Sequence, residues 1–232
     1  GSPNTATVNH KTPPSNENSP NTHLDIKDRI FQEDFGHIME KKENQTIRIT
    51  LLNTNTFPLS QKDPPKYDTL KQEFLHNEAD IIGFTELNYN WTKMRNTQQL
   101  HNQTRGWWKN KTIQRSWMKT EEYVKHQVGG TATIITNDIT SNRDSSGHDT
   151  KGLGRWSWIT ITDPTGEIRT TIITIYHPNH SRGKYTAFTQ QLERIRTICP
   201  KHQETDVYKH FYKDLDDLLT EKRNEGHQIV LM

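Results

Sequence analysis

The chain has 232 residues, 29% of them apolar, and 30 basic residues are nearly cancelled by 28 acidic ones to give a net charge of +2. That length suits one sizeable domain, and the charge balance excludes the imbalance typical of a disordered chain. A single cysteine, Cys199, excludes an internal disulfide framework and a cysteine-built zinc site, and it fits a reducing, intracellular compartment, nucleus or cytoplasm.

Residues 1–22 are mostly Asn, Pro, Ser and Thr with almost no large apolar side chain. Burial there cannot offset the entropy of ordering, so they read as a disordered tail ahead of one domain over 23–232. The start at Gly1-Ser2 instead of Met reads as a cloning scar on a piece of a longer protein. Ile26, Ile30, Phe35 and Ile38 give a loose helical period from Leu24 to Lys41, interrupted by Gly36. From Thr46 to Asn53 the alternation of Ile47, Ile49 and Leu51 predicts a strand. Pro64-Pro65 ends the loop that follows, and Tyr67, Leu70 and Phe74 then fall on one helical stripe. Ala79 to Phe84 is a short apolar run flanked by charge, a second strand, and helix leading directly into strand suggests an α/β layer.

Further strands are predicted at Gly130–Asn137, Trp156–Thr162 and Arg169–Tyr176, the last two joined into a hairpin by Asp163-Pro-Thr-Gly. Threonine repeatedly stands where valine would serve, sharing the β-branching that suits strands, and this lowers the hydropathy. Helical stripes return at Tyr185, Phe188, Leu192 and Ile195 and again at Tyr208, Phe211, Leu215 and Leu218, and Ile229-Val-Leu-Met232 reads as a closing strand. No apolar run is long enough to cross a membrane. The balanced net charge leaves a nucleic-acid partner open, because phosphate binding needs local charge. Trp107, Trp108 and Trp117, interleaved with Arg105, Lys109, Lys111 and Arg115, fit either a base-stacking surface or core tryptophans on a solvated face.

Strand ends are where layered folds commonly place ligand sites, and three of them here carry polar residues of unusual type. The first is Asn53, after Ile47-Arg-Ile-Thr-Leu-Leu, the second is Glu86, after Ala79-Asp-Ile-Ile-Gly-Phe-Thr, and the third is Thr174-Ile-Tyr176-His-Pro-Asn179-His-Ser-Arg182-Gly. A turn after a strand also accounts for Asn53, and a cap on a following helix accounts for Glu86. A phenol such as Tyr176 donates to a phosphate oxygen, and Arg182 offers a forked, permanently charged donor set. His177 and His180 have no partner cysteines with which to build a zinc site.

Taken in order, these segments resemble the endonuclease/exonuclease/phosphatase superfamily (DNase I-like), in its retroelement type. Gly129-Gly130-Thr-Ala-Thr-Ile-Ile and Gly152-Leu-Gly-Arg-Trp-Ser-Trp add to the resemblance, which runs from Thr46 to Met232. It implies an α/β fold, a four-layer α/β/β/α sandwich, here with an incomplete second sheet. It also implies a catalytic set of Asn53, Glu86 and Tyr176, with Glu86 as ligand to Mg²⁺ or Mn²⁺ and Asn179 and Arg182 as phosphate contacts. Magnesium keeps several waters, so one or two carboxylates suffice for it. The implied activity is metal-dependent phosphodiester hydrolysis on DNA, or on another phosphate substrate. Gly226-His-Gln-Ile-Val-Leu-Met232 resembles the strand after which the family places Gly-Asp-x-Asn and, later, an Asp-His motif. Neither follows here, so a truncated and inactive domain is expected, with a catalytically dead remnant or a nucleic-acid-binding module of the same fold as the alternative.

Overall fold

A computed structural model of the protein describes residues 41–43, 45–119, 127–181, 183, 185–199 and 206–232. The predicted tail over 1–22, the helix expected from Leu24 to Lys41 except for its last residue, and Arg182 lie outside the described residues. In chain order the elements are β1 (Ile49–Asn53), α1 (Pro64–His76), β2 (Ile81–Thr85), α2 (Leu100–Gln103), β3 (Lys111–Ser116), β4 (Thr131–Thr136), β5 (Arg143–His148), β6 (Trp156–Thr162), β7 (Arg169–Ile175), α3 (Ala187–Ile198), α4 (Val207–Asn224) and β8 (Gln228–Leu231). The strands form two mixed sheets, ordered β1-β2-β4-β3 and β5-β6-β7-β8. In the first, β1 and β2 are parallel and the other pairings antiparallel, and in the second only β7 and β8 are parallel.

Three of the helices begin at a side-chain cap. Asp63 caps α1 by accepting from the Lys66 N–H, and Pro64 and Pro65 occupy the first turn, where a missing N–H costs nothing. Thr186 caps α3 and Asp206 caps α4 in the same way. Helix α1 packs outside the first sheet, where Phe74 meets Phe84 edge-on at 5.4 Å and Trp107 stacks on Phe74 at 6.1 Å. Helix α4 packs on the second sheet through Trp156, Ile173 and Phe211, and α3 joins it through Leu153, Ile195 and Val207. The described residues therefore form four layers, helix, sheet, sheet and helices. The predicted hairpin is present, its turn closed by Gly166 N–H donating to the Asp163 carbonyl at 3.0 Å.

Two strands, β3 and β5, had no apolar alternation to reveal them. Both lie at sheet edges, where polar and charged side chains are the norm because they discourage pairing with other chains. Tyr185, expected on a helical stripe, stands ahead of α3 and is exposed. The first strand is also unlike its pattern. Ile49 and Leu51 share a face with Ile81 and Gly83 of the neighbouring β2, yet Ile47, Ile49 and Leu51 are 56%, 41% and 50% exposed. They lie at an open margin of the sandwich.

The space between the sheets divides into an apolar half and a hydroxyl half. Ile81, Ile135, Ile159, Ile161 and Ile172 fill the first. In the second, the buried Thr133 Oγ1 lies 2.8 Å from the Ser157 carbonyl, 3.0 Å from Ser157 Oγ and 2.8 Å from Thr174 Oγ1, while Thr131 donates to Ser157 Oγ at 3.2 Å. One hydroxyl has one proton and two lone pairs, so Thr133 is saturated by these partners. Gly83 faces the same seam, where a Cβ would meet Thr174 Oγ1 at 2.9 Å. Replacing Thr133 by Val keeps the shape and strands the partner hydroxyls, which should cost about 1–3 kcal/mol, whereas Thr133→Ser should cost much less. Urea unfolding of the two variants reads the difference directly.

Candidate active site

Parallel pairing in register sets the ends of β1 and β2 side by side, Asn53 opposite Thr85. The loops leaving them stay joined. Thr54 N–H donates to the Thr85 carbonyl at 3.0 Å, Thr56 N–H to Glu86 at 2.8 Å and Phe57 N–H to Leu87 at 3.2 Å. To make these bonds the backbone turns left-handed at Asn55, Thr56, Glu86 and Asn88, with φ of 40°, 76°, 52° and 59°. Side chains with a Cβ avoid this region, and each such residue stores on the order of 1–3 kcal/mol. Lys66 of α1 supports the first loop, its ammonium 3.0 Å from the Thr54 carbonyl and 3.4 and 3.5 Å from those of Asn55 and Thr56.

This backbone turn decides what Glu86 is. The residue caps no helix, because the next helical turn, Trp91–Lys93, is capped by Asn90 accepting from Thr92 N–H. Its half-buried carboxylate faces Tyr176 instead. Asn53 is exposed beside Thr85, and its Oδ1 accepts from Asn55 N–H at 3.0 Å, so the turn reading accounts for that atom.

Tyr176 arrives from the other sheet, one residue past β7, with its N–H donating to the Arg155 carbonyl at 2.7 Å. The ring lies over Gly129, where a Cβ would come 3.0 Å from Cε1. The Tyr176 pKa is pushed up to about 12, first by burial and then by the negative charge of the neighbouring Glu86. The group is a neutral donor at pH 7.

A residue that pattern reading passed over holds this arrangement together. Buried Asn88 accepts the Gly129 N–H on Oδ1 at 2.7 Å and donates through Nδ2 to Thr56 Oγ1 at 2.9 Å. Its backbone N–H donates to the Gly129 carbonyl at 2.9 Å, and its carbonyl accepts from Gln127 N–H at 3.1 Å. One side chain thus joins the loop after β1, the loop after β2 and the glycine turn beneath Tyr176. The only signal in the sequence was the tolerance of Asn for left-handed backbone two residues beyond Glu86.

The remaining candidates fall elsewhere. Asn179 is exposed beyond the buried Pro178, and Arg182 is outside the described residues. His177 stacks on Tyr208 at 4.7 Å and meets Phe211 edge-on at 4.6 Å, and burial lowers its pKa. His180 lies against Phe188 at 4.8 Å. Among the described residues no group of three or more His, Cys, Asp or Glu is placed to hold a metal. The Trp-and-basic stretch is largely structural. Trp107 is core, and Trp91 and Trp117 hold the Arg115 guanidinium at 5.0 and 5.7 Å from their ring centres. Burial and the nearby Arg105 lower Lys111 to about 8, and its ammonium donates to the Thr104 carbonyl. No described helix is long and apolar enough to cross a membrane.

No family model matches the chain and no curated protein matches it. Solved structures do. An endonuclease/exonuclease/phosphatase family protein from Leptotrichia buccalis is 14% identical with a TM-score of 0.40, over 69% of this chain and 65% of that one. An AP endonuclease from Archaeoglobus fulgidus is 14% identical with a TM-score of 0.38, over 68% and 53%. The human Nocturnin catalytic domain is 14% identical with a TM-score of 0.38, over 71% and 68%. The chain thus spans just under two thirds of the first of these and about half of the second.

The Tyr176–Glu86 pair makes an alkaline prediction. The folded-state pKa of about 12 exceeds the ordinary 10.0, so this contribution to stability is fully present below pH 10 and is lost as pH rises toward 12. In Glu86→Gln the phenol should ionise at lower pH, and Tyr176→Phe should lack this part of the alkaline destabilisation. Phenolate absorbance and urea midpoints between pH 9 and 12 measure both. A Tyr176 that ionises at the ordinary value in the unaltered chain would mean the pair is not formed.

Proposed function

We propose that this chain carries the metal- and phosphate-binding face of an endonuclease/exonuclease/phosphatase-type phosphodiesterase domain acting on DNA, of retroelement type. The observation that supports this most is the meeting of Glu86, from the end of β2, with Tyr176, from beyond β7, across two different sheets. A strained, non-glycine backbone at the glutamate adds weight, since such strain gathers at functional sites. The segment Gly152-Leu-Gly-Arg-Trp-Ser-Trp is what favours the retroelement type.

The donor set fits Mg²⁺ or Mn²⁺. Glu86 offers hard carboxylate oxygens at a half-buried strand end, and Asn53 stands opposite Thr85 with a carboxamide beside it. With one carboxylate, affinity is weak and several waters stay on the ion. When bound, the cation supplies charge stabilisation at a phosphoryl centre. Tyr176 stays protonated and donates to a non-bridging phosphate oxygen, and its O–H is released for that task once Glu86 is engaged. Asn53 adds an uncharged amide donor, and Asn179 and Arg182 extend the phosphate contacts along the loop after Tyr176.

Among the described residues, what the face lacks is a proton acceptor. Glu86 is committed to the cation, Asn53 is neutral, Tyr176 is held protonated and His177 is enclosed by aromatic rings. Water attack at a diester requires such an acceptor. This supports a chain that binds but does not by itself hydrolyse, and it keeps a second reading in view, a nucleic-acid-binding module or remnant of the same fold.

Titration with Mg²⁺ should move backbone NMR signals around Asn53–Thr56 and Glu86–Asn88, and Glu86→Gln should abolish the shifts. Unchanged shifts in that variant would remove Glu86 from the site. In a plasmid-nicking assay the 232-residue chain should be inactive, while a longer chain carrying downstream Asp and His motifs should nick with Mg²⁺ and lose that with Glu86→Gln. Comparable nicking by both would place a base within this chain. DNA binding should weaken steeply with salt and with little regard to sequence, and Arg182→Ala should weaken it uniformly. Tight binding that survives high salt would count against phosphate contacts.

A further inference from the structure

Beneath Tyr176 lies an ionic cluster that reaches it through a backbone hydrogen bond. Arg155 is fully buried and grips the equally buried Asp149 with two bonds, Nε to Oδ2 at 2.7 Å and Nη2 to Oδ1 at 2.8 Å. Its Nη1 donates to Asp214 Oδ2 of α4 at 2.9 Å and lies 3.3 Å from the His210 carbonyl of the same helix. Lys151 adds a second bond to Asp214, at 2.6 Å, and the guanidinium sits 4.2 Å from the centre of the Trp156 ring. Asp149 also gathers the backbone of its own loop, accepting from the N–H groups of Lys151, Leu153 and Arg155 at 3.1, 3.2 and 3.4 Å.

Desolvating such ions is expensive, and a well-packed apolar replacement is often as stable, so stability alone is a weak reason for this cluster. Its position supplies a better one. The Arg155 carbonyl receives the N–H of Tyr176, which stands beyond the last residue of β7. The Arg155 N–H, which a continuing ladder would pair with that strand, goes to Asp149 instead. On the other side of Tyr176, His177 packs on Tyr208, Phe211 and Tyr212 of α4. Helix α4 therefore grips the residue that accepts the tyrosine's N–H and the residue after the tyrosine itself.

We infer that Arg155, clamped between Asp149 and Asp214, is a positioning residue that fixes Tyr176 over Glu86 and makes the geometry of the site depend on α4. The inference rests on the reading of Glu86 and Tyr176 as the working pair. Its test is independent of any metal or activity. The full 232-residue chain, labelled with ¹³C-tyrosine, is read at pH 7 by NOEs from the Tyr176 ring to the α protons of Gly129, over which the ring lies, and Tyr176→Phe identifies the ring resonances. In Asp214→Asn these NOEs should be largely lost. Arg155→Lys, which keeps the charge and loses the fork, should lose part of them. Leu70→Ala, a destabilising change in α1 on the far sheet, should leave them as they were.

Tyr176–Gly129 NOEs that persist in Asp214→Asn, or that are lost equally in Leu70→Ala, overturn the inference and leave the cluster as a tie between helix and sheet. If Arg155→Lys does not fold, the more exposed Asp214→Asn still decides the matter. Absence of Mg²⁺ binding at Glu86 would sink the phosphodiesterase reading without changing these NOEs, so the two failures are distinguishable.

Discussion

The short seam of hydroxyls between the sheets is the constraint on which the site depends. Thr133 touches Ser157 and Thr174 at hydrogen-bonding distance, and Gly83 makes room for Thr174 to come close. Thr174 is two residues before Tyr176, and Thr131, which donates into the same seam, pairs with Thr85, the residue before Glu86. Apolar surfaces slide past each other at little cost, but directional bonds between saturated hydroxyls admit one alignment. The seam therefore sets which residues of the two sheets face each other at the rim, and that alignment sets the carboxylate against the phenol.

Above this seam the loops are built to redirect side chains. A strand ending in ordinary extended geometry would send residue 86 on along the sheet. The left-handed turn at Glu86, supported by Asn88 and by the zipped loop after β1, sends it across to the other sheet instead. The strain is spread over neighbouring loops that hold one another, with Lys66 neutralising the carbonyls that the turns leave crowded together. Asn88, whose side chain holds the Gly129 turn, and Arg155, through its carbonyl, then act on Tyr176 from below.

Much of this was legible in the residues. The alternation in Trp156–Thr162 and the Asp163-Pro-Thr-Gly turn gave the hairpin because period two and turn chemistry are local. The stripes through Phe74 and Phe211 gave two helices because each buries one face. Edge strands β3 and β5 were not legible, since a strand paired on one side and wet on the other needs no apolar period. The exposed Ile49 and Leu51 carried the period and still lie at an open margin, because periodicity reports the face a residue takes and not what covers that face. At the candidate site, Glu86 and Tyr176 stand out in the sequence as strand-end residues, and each lies one residue past a strand. Asn88 and the Asp149–Arg155–Asp214 cluster were missed because their work is to join loops distant in sequence, and no spacing rule records that.

The span between Glu86 and Tyr176 also bears on how the molecule reaches its native state. The two residues belong to different sheets, and the contact between them closes a loop of nearly the whole β-rich middle of the chain. Contacts of such long separation form late, because the entropy of closing the loop is lost before the contact can compensate for it. Neither sheet alone contains a usable pair, so a half-folded chain presents an isolated carboxylate and an isolated phenol. The burial of the phenol beside the carboxylate exists only after the sandwich has closed, which makes the ionisation of one tyrosine a clock for the last step of folding.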